Sequence, residues 1–380
     1  KLVTAAVVDA MDYVKASKSN IPQGQLEGAK YGKKQYFYLR DPGFTFEGID
    51  ATDNIGGVQE VEVSAECTSR GTAVNLDVWN RLTDIEDFIE EVAKPHAAKL
   101  ALSVEKDIIK KTGTVALQAV AGPAAFSTLT EASALLTEAA NAGDKYIWNA
   151  PTVNGKIAAT GLANFIPSDI QKEIYHKNYL GEYAGASVLN MNLMPTVTAV
   201  SVSAVTWTAD SAGKIKLTGA SDAMVGLPVE LEGVKLVDLN GIKTELQVRG
   251  TIAKDDNNDY IVDGARLGVP GEGDKWATNA SQNPNCYADA VSGACANVLT
   301  PGKKYRLGVC RTKDSLGFDQ YKFMDLPGSV NSTQTVDGIT LKYSEYSNGT
   351  KLEVLSRLDF PYIAYVNEPR RQLTIWYELD

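Results

Sequence analysis

Polar and apolar positions alternate along two stretches early in the chain, and the alternation predicts a two-stranded arm. Lys34-Gln35-Tyr36-Phe37-Tyr38-Leu39 is aromatic and apolar without helix caps. In Val58-Gln59-Glu60-Val61-Glu62-Val63 and onward, Val61, Val63 and Ala65 oppose Glu60, Glu62 and Ser64. A period of two places one set on a face that can be buried and the other in water. Gly43, Gly48, Gly56 and Gly57 punctuate the polar excursion between the strands. A long two-stranded arm is marginal alone in water, so the pattern predicts a segment completed by a neighbouring subunit.

The period then changes from two to between three and four. Apolar side chains at Ile85, Phe88, Ile89, Val92, Leu100, Val104 and Ile108 draw one stripe and predict a long helix from Thr83 or Asp84 to Gly113. Acidic residues crowd its first half and Lys106, Lys110 and Lys111 its last turns, which complements the helix dipole, and Gly113 suits the C-terminal cap. Pro95 is expected to kink or split it. His96 falls on the apolar side, and a packed core residue is expected there. His176, beside Lys177, reads as a surface residue.

Elsewhere the patterning is weaker. Residues 1–18 read as a short amphipathic helix with Val3, Val7, Ala10, Met11 and Val14 on one side. Thr130 to Asn141 reads as a helix, Lys145 to Trp148 as a strand, and a further helix is expected from Pro167-Ser168-Asp169 towards the Gly181 and Gly185 loops. From Thr196 to Phe323 helical periodicity is almost lost. Short strands recur there at Lys214–Leu217, Val229–Leu231, Val234–Leu239, Glu245–Ile252, Tyr260–Val262 and Tyr305–Val309, with Asn240-Gly241 and Asp263-Gly264 as turns. This predicts a separate all-β barrel or sandwich. Strands return at Ile339–Tyr343, Lys351–Leu355, Pro361–Val366 and Leu373–Leu379, so the β-domain is expected to interrupt a larger α+β domain.

Composition narrows the function. The 380 residues allow two or three cores; the net charge of -10 and the absence of a basic block argue against sequence-specific nucleic-acid binding. No apolar run reaches the length of a membrane span, so no membrane partner is expected. The Leu2–Val8 run breaks at Asp9 without a cleavage pattern. The absence of an initiating methionine leaves the true N-terminus open. No HExxH, GxSxG or GxxxxGK[ST] motif occurs, so no catalytic residue, cofactor or metal is expected. Asp255-Asp256-Asn257-Asn258-Asp259 begins like a calcium loop, but Tyr260 and Arg266 stand where glycine and glutamate are needed, which favours a polar hairpin turn. Cys286 and Cys295 are near enough in sequence for a loop-closing disulfide, with two free thiols as the alternative.

The order of these features resembles the tailed-phage major capsid proteins of the Hong Kong ninety-seven fold, in particular the P-twenty-two-type coat proteins with an inserted β-domain. Gly32 to Cys67 resembles the family's E-loop, and Thr83 to Gly113 with Pro95-His96-Ala97-Ala98-Lys99-Leu100 resembles its spine helix. Phe165 to Ile170 resembles a helix start of the A-domain, and Tyr179 to Pro195 the passage before the insertion. Gly226-Leu227-Pro228-Val229 through Leu236 resembles a passage inside it. Ala186 stands where the family usually has an aromatic, and the C-terminal strands fit loosely.

The resemblance implies an N-terminal arm at 1–31, an E-loop at 32–68, spine helix and P-domain at 69–129, the first part of an A-domain at 130–195, the inserted β-domain at 196–325, and a return to the A- and P-domains at 326–380. It implies a structural virion protein that self-assembles into hexamers and pentamers of an icosahedral shell, made in the host bacterial cytoplasm. Expected partners are further copies of the chain, a scaffolding protein, the portal, a decoration protein in some systems, and packaged DNA through non-specific contacts. Tyr36, Tyr38, Phe44, Phe46 and Ile55 are then expected to anchor on an adjacent subunit, or to pack on their own domain. Asp41, Glu47, Asp50 and Asp53 are expected to meet basic groups such as Arg370 and Arg371 of a neighbour, unless those arginines are solvated surface charges. Loops at Gly143-Asp144 and Asn367-Glu368-Pro369 would converge at capsomer centres. The N-terminal helix would meet the scaffolding protein or dock on the spine helix. Two other readings stay open: a secreted or surface adhesion protein with an immunoglobulin-like module, favoured by the β-rich insert and the Cys286–Cys295 spacing, and a phage tail-tube subunit.

Overall fold

The computed structural model describes residues 11–15, 17–18, 34–40, 60–77, 94–140, 143–161, 181–269, 283–321, 325, 328–336, 339–348 and 353–379. The chain divides into two compact units, one of residues 1–37, 63–112 and 316–365, the other of residues 38–62, 113–315 and 366–380.

The first unit is built on a six-stranded sheet. Its order is β1 (Lys34–Arg40), β2 (Glu60–Asp77), β19 (Glu353–Val366), β18 (Ile339–Asn348) and β17 (Val330–Val336), and the short β16 (Leu316–Asp319) also pairs with β19. β2 runs well past the Val63 at which the sequence signal fades. The polar stretch Thr68-Ser69-Arg70-Gly71-Thr72 has little strand preference of its own, yet it is held antiparallel to β19 from Cys67↔Ile363 to Asp77↔Glu353. Pairing decides over propensity here. Of the two strands expected at Lys351–Leu355 and Pro361–Val366, residues 353–355 and Pro361–Val366 are parts of the single strand β19, and Lys351 and Leu352 lie outside the described residues. Pro361 lies beyond the last β18 pair, Lys342↔Asp359, where its missing N–H breaks no rung of that ladder.

The described part of the long helix is α2 (Lys94–Thr112), with Pro95 in its first turn, where proline is tolerated. The first half of the expected helix lies outside the described residues. Ala97, Leu100, Ala101, Val104 and Ile108 are buried along one stripe, as the periodicity predicts. His96 is half-buried, with Nδ1 3.2 Å from the Thr72 hydroxyl, rather than packed in the core. Of the N-terminal helix the described turn is α1 (Asp12–Lys15). It docks on α2: Met11, Tyr13 and Val14 are buried, and the Tyr13 N–H donates to the buried Glu105 carboxylate at 2.8 Å. The helix expected from Pro167 lies outside the described residues.

The second unit joins a mixed sheet to a barrel. The sheet order is β3 (Gln118–Gly122), β20 (Gln372–Leu379), β15 (Lys304–Thr312), β4 (Lys145–Asn149), β6 (Ala186–Asn190) and β5 (Gly181–Tyr183), with β7 (Thr196–Thr198) also on β15. β3 is parallel to β20 and β4 to β6, while β15 runs antiparallel to β20 and β4. Parallel neighbours need crossover connections. Helix α3 (Phe126–Ala140) lies between β3 and β4 in sequence, and α4 (Pro151–Gly161) lies between β4 and β6. Trp148, Leu307, Val309, Ile375, Trp376 and Tyr377 are fully buried in this sheet.

Between β7 and β15 the chain builds a closed six-stranded barrel from β8 (Thr206–Ala209), β9 (Lys214–Thr218), β10 (Pro228–Val237), β11 (Lys243–Lys254), β12 (Tyr260–Gly268) and β14 (Ser292–Asn297). Closure follows from the pairings β8–β9, β9–β12, β12–β11, β11–β10, β10–β14 and β14–β8. The two-residue β13 (Cys286–Tyr287) pairs with both β10 and β12. Trp207, Ile215, Val229, Leu231, Val234, Leu236, Val248 and Ile252 fill its core. One expectation is corrected. Tyr305–Val309, expected among the barrel's strands, belongs to β15 of the mixed sheet, paired with β20 and β4. Its near-continuous run of buried residues is that of a central strand covered on both faces.

Candidate functional site

The expected contact residues are dispersed. Asp41, Phe44, Phe46, Glu47, Asp50, Asp53 and Ile55 lie outside the described residues. On β1, Gln35 and Phe37 are buried, whereas Tyr36 and Tyr38 are 40% and 56% exposed. Phe37 packs its ring 4.5 Å from Tyr365. Two neighbouring aromatics therefore face solvent, and the Tyr38 hydroxyl donates to Glu62 at 3.3 Å. That carboxylate raises the tyrosine's pKa, by hydrogen bond first and charge second.

Arg370 and Arg371 part company. Arg371 keeps partial exposure and pairs with Asp314 at 3.3 Å. Arg370 is buried within its own chain, which overturns the expectation that it meets a neighbour's carboxylate or stands in solvent. The 3-10 turn Pro369–Arg371 folds its guanidinium back on Glu368, with Nε 3.0 Å from Oε1 and Nη2 3.1 Å from Oε2. Arg266 of β12 reaches the same carboxylate, Nη2 to Oε2 at 3.0 Å. The side chains of Glu368, Arg370 and Arg266 are 8%, 3% and 12% exposed. Asn367 and Glu368, expected at an exposed capsomer-centre loop, are buried as well.

The remaining donors of this site are used. Arg370 Nη1 donates to the Val237 carbonyl at 3.2 Å and to the Asp238 carbonyl. Arg266 Nε donates to the Asn283 carbonyl at 2.8 Å, and Asn285 bridges the Arg266 N–H and the Gly264 carbonyl, both at 2.8 Å. Burial alone would raise the pKa of Glu368, but Arg370 and Arg266 outweigh it and hold the carboxyl down to about 2. Backbone packing is as close as the polar packing. Gly264 has a φ of +70°, and a Cβ there would come within 2.4 Å of Pro369 Cγ. Gly264→Ala is expected to cost about 1–3 kcal/mol from the clash and the left-handed backbone together, read as a lowered urea midpoint with an unchanged slope.

Sequence reasoning missed this network. Its one signal was the run Asn367-Glu368-Pro369-Arg370-Arg371, in which a glutamate stands two residues from an arginine across a proline.

Cys286 and Cys295 are free and buried, which overturns the disulfide expectation. They sit on different strands, opposite Leu236 and Leu231 of β10. β10 is bulged between those two positions, and both thiols lie in the barrel core without bonding. The calcium-like loop is a hairpin turn. Asp255 Oδ1 accepts from the N–H groups of Asn257 and Asp259, both at 2.9 Å, and Lys214 takes its other oxygen at 2.6 Å. In the first unit, Asp107 of α2 gathers Arg70 at 2.8 Å, Lys111 at 3.1 Å and the Tyr362 hydroxyl, a structural clamp of helix to sheet. Among the described residues no cluster of His, Cys, Asp and Glu could hold a metal, and no helix is long and apolar enough to cross a membrane. What the described chemistry offers is the fixing of one element to another.

No family model and no curated protein matches the sequence. Among solved structures, the chain is similar to a capsid structure of the cyanophage P-SCSP1u, at 9% identity and a TM-score of 0.47, over 95% of this chain and 89% of that one. It is also similar to the acid-stable capsid of Helicobacter pylori bacteriophage KHP30, at 9% identity and 0.46, over 96% and 93%. The mature capsid of bacteriophage PhiM1 matches at 9% identity and 0.44, over 92% and 83%.

Proposed function

We propose that this chain is the major capsid protein of a tailed bacteriophage. On this reading it has the Hong Kong ninety-seven type of architecture with an inserted barrel, and it assembles into the hexamers and pentamers of an icosahedral shell around packaged DNA. The observation that carries the reading is the interruption of the mixed sheet. The chain leaves it after Thr198, closes a six-stranded barrel, and returns at Lys304 to supply the strand between β20 and β4. The order of arm, helix, sheet and inserted barrel is the order the sequence resemblance implies.

The arm would serve as the E-loop, α2 as the end of the spine helix, and the mixed sheet as the A-domain. The exposed Tyr36 and Tyr38, with Asp41, Phe44, Phe46, Glu47, Asp50, Asp53 and Ile55, would form contacts between subunits, while Arg371 would have to exchange Asp314 of its own chain for a neighbour's carboxylate. Shells need many modest interfaces whose strength comes from closure. A scaffolding protein, a portal and in some systems a decoration protein would be partners, with DNA met only non-specifically and no catalytic activity. The free thiols remove one of the two features that favoured an adhesion protein.

Deletion of residues 43–57 tests the arm. The shortened chain is expected to stay folded by circular dichroism and to sediment as monomers or small oligomers. Particles of normal size from that deletion would remove the arm from the assembly mechanism.

A further inference from the structure

Besides its two chain connections and Ala139 of α3 in its core, the barrel is held to the rest of the second unit at two polar junctions of different chemistry. The first is neutral and made largely by backbone groups. The Arg249 N–H donates to the Leu117 carbonyl at 3.0 Å, Gln118 Nε2 donates to the Gln247 carbonyl at 3.0 Å, and the Thr251 hydroxyl donates to the Thr114 carbonyl. Leu117 itself completes the barrel core. The second place is ionic: Arg266 of β12 and the carbonyls of Val237 and Asp238 at the end of β10 are held by Glu368 and Arg370. One carboxylate serves two guanidinium groups there, so the charge balance of the junction depends on a single proton site.

We infer that Glu368, Arg266 and Arg370 form an acid-releasable latch, whose opening leaves the barrel attached through β11 and residues 114–118, Ala139 of α3 and its two chain connections. A proton from solvent converts the Glu368 carboxylate to the neutral acid. Both ion pairs are lost, and two buried cations then face one another without an anion. The other titratable groups around the latch do not replace it: the carboxylate of Asp238, whose backbone carbonyl accepts from Arg370, is held by the N–H groups of Asn240 and Ile242. Asp314 is engaged by Arg371, and Asp263 on β12 is pushed towards its neutral form by burial. Lys313 adds positive charge, Cys286 is a thiol pushed up to about 12 by burial, and Glu131 and Glu138 of α3 are exposed. The inference stands on the geometry of the second unit and does not depend on the capsid reading.

Three buried cysteines report on it in the unaltered protein: Cys286 beside the latch, Cys295 inside the barrel, and Cys310 in the mixed sheet. The full chain would be labelled with dithiodipyridine, which reacts in acid, and the modified peptides mapped by mass spectrometry. With Glu368 held down to about 2 in the closed state and at its ordinary 4.5 once released, latch opening should rise about thirtyfold between pH 7 and pH 3. Cys286 labelling, taken as a ratio to Cys295 and Cys310, is expected to follow. Glu368→Gln should produce the same selective labelling at pH 7, and the pH series on the native chain decides the matter if that variant does not fold. Simultaneous labelling of all three thiols, or a constant ratio down to pH 3, would overturn the latch.

Discussion

Replacing Glu368 by alanine is expected to destabilise the protein by about 3–5 kcal/mol, the cost of removing one partner from a buried ionic group. The carboxylate is the shared anion of Arg370 and Arg266, whose side chains are 3% and 12% exposed. Its loss leaves two guanidinium groups close together with little water to screen them. The native contribution also carries a pH signature. The folded-state pKa, about 2, lies below the ordinary 4.5, so the stabilisation is complete above about pH 4.5 and fades as pH falls through about 2. A shift of that size corresponds to on the order of 3 kcal/mol. Urea denaturation at pH 7 should show the loss, and the variant's stability should vary less with pH between 5 and 2 than that of the native chain. A loss under about 1 kcal/mol would mean that the pair offsets only its own desolvation.

Trp207→Ala is expected to cost about 3–5 kcal/mol by opening a cavity in the barrel. Trp207 is 1% exposed, pairs across strands with Leu217 and Gly293, and donates its indole N–H to the Glu232 carbonyl at 3.3 Å. The ring lies so close over Gly293 that a Cβ there would come within 2.6 Å of Nε1. The glycine is what lets the strand pass beneath the ring. The free energy of unfolding, measured with an unchanged denaturant slope, should fall accordingly. A change of a few tenths of a kcal/mol would show that the indole is not the centre of that core.

Much of the fold was legible because local pattern and tertiary environment agree. The alternation in β2, the buried stripe of α2 and the turn-punctuated strands of the barrel all follow their sequence periods. Legibility failed where pairing decides over pattern. Residues 118–122 and 186–190 are short runs whose strand state depends on parallel neighbours supplied by distant segments. β15 carries no mark of which sheet it joins, so the return from the barrel was expected about twenty residues too late. The ionic junction was invisible for another reason. Glu368 and Arg266 are 102 residues apart, and a charged run reads as solvated surface until the fold brings a second arginine to it.

The central claim is assembly, and electron microscopy of the purified full chain at micromolar concentration tests it most directly, with and without its neighbouring reading frames co-expressed. Closed or spiral shells tiled with hexamers are the predicted result. Monodisperse monomers under every condition, or fibres and stacked rings in place of shells, would contradict it.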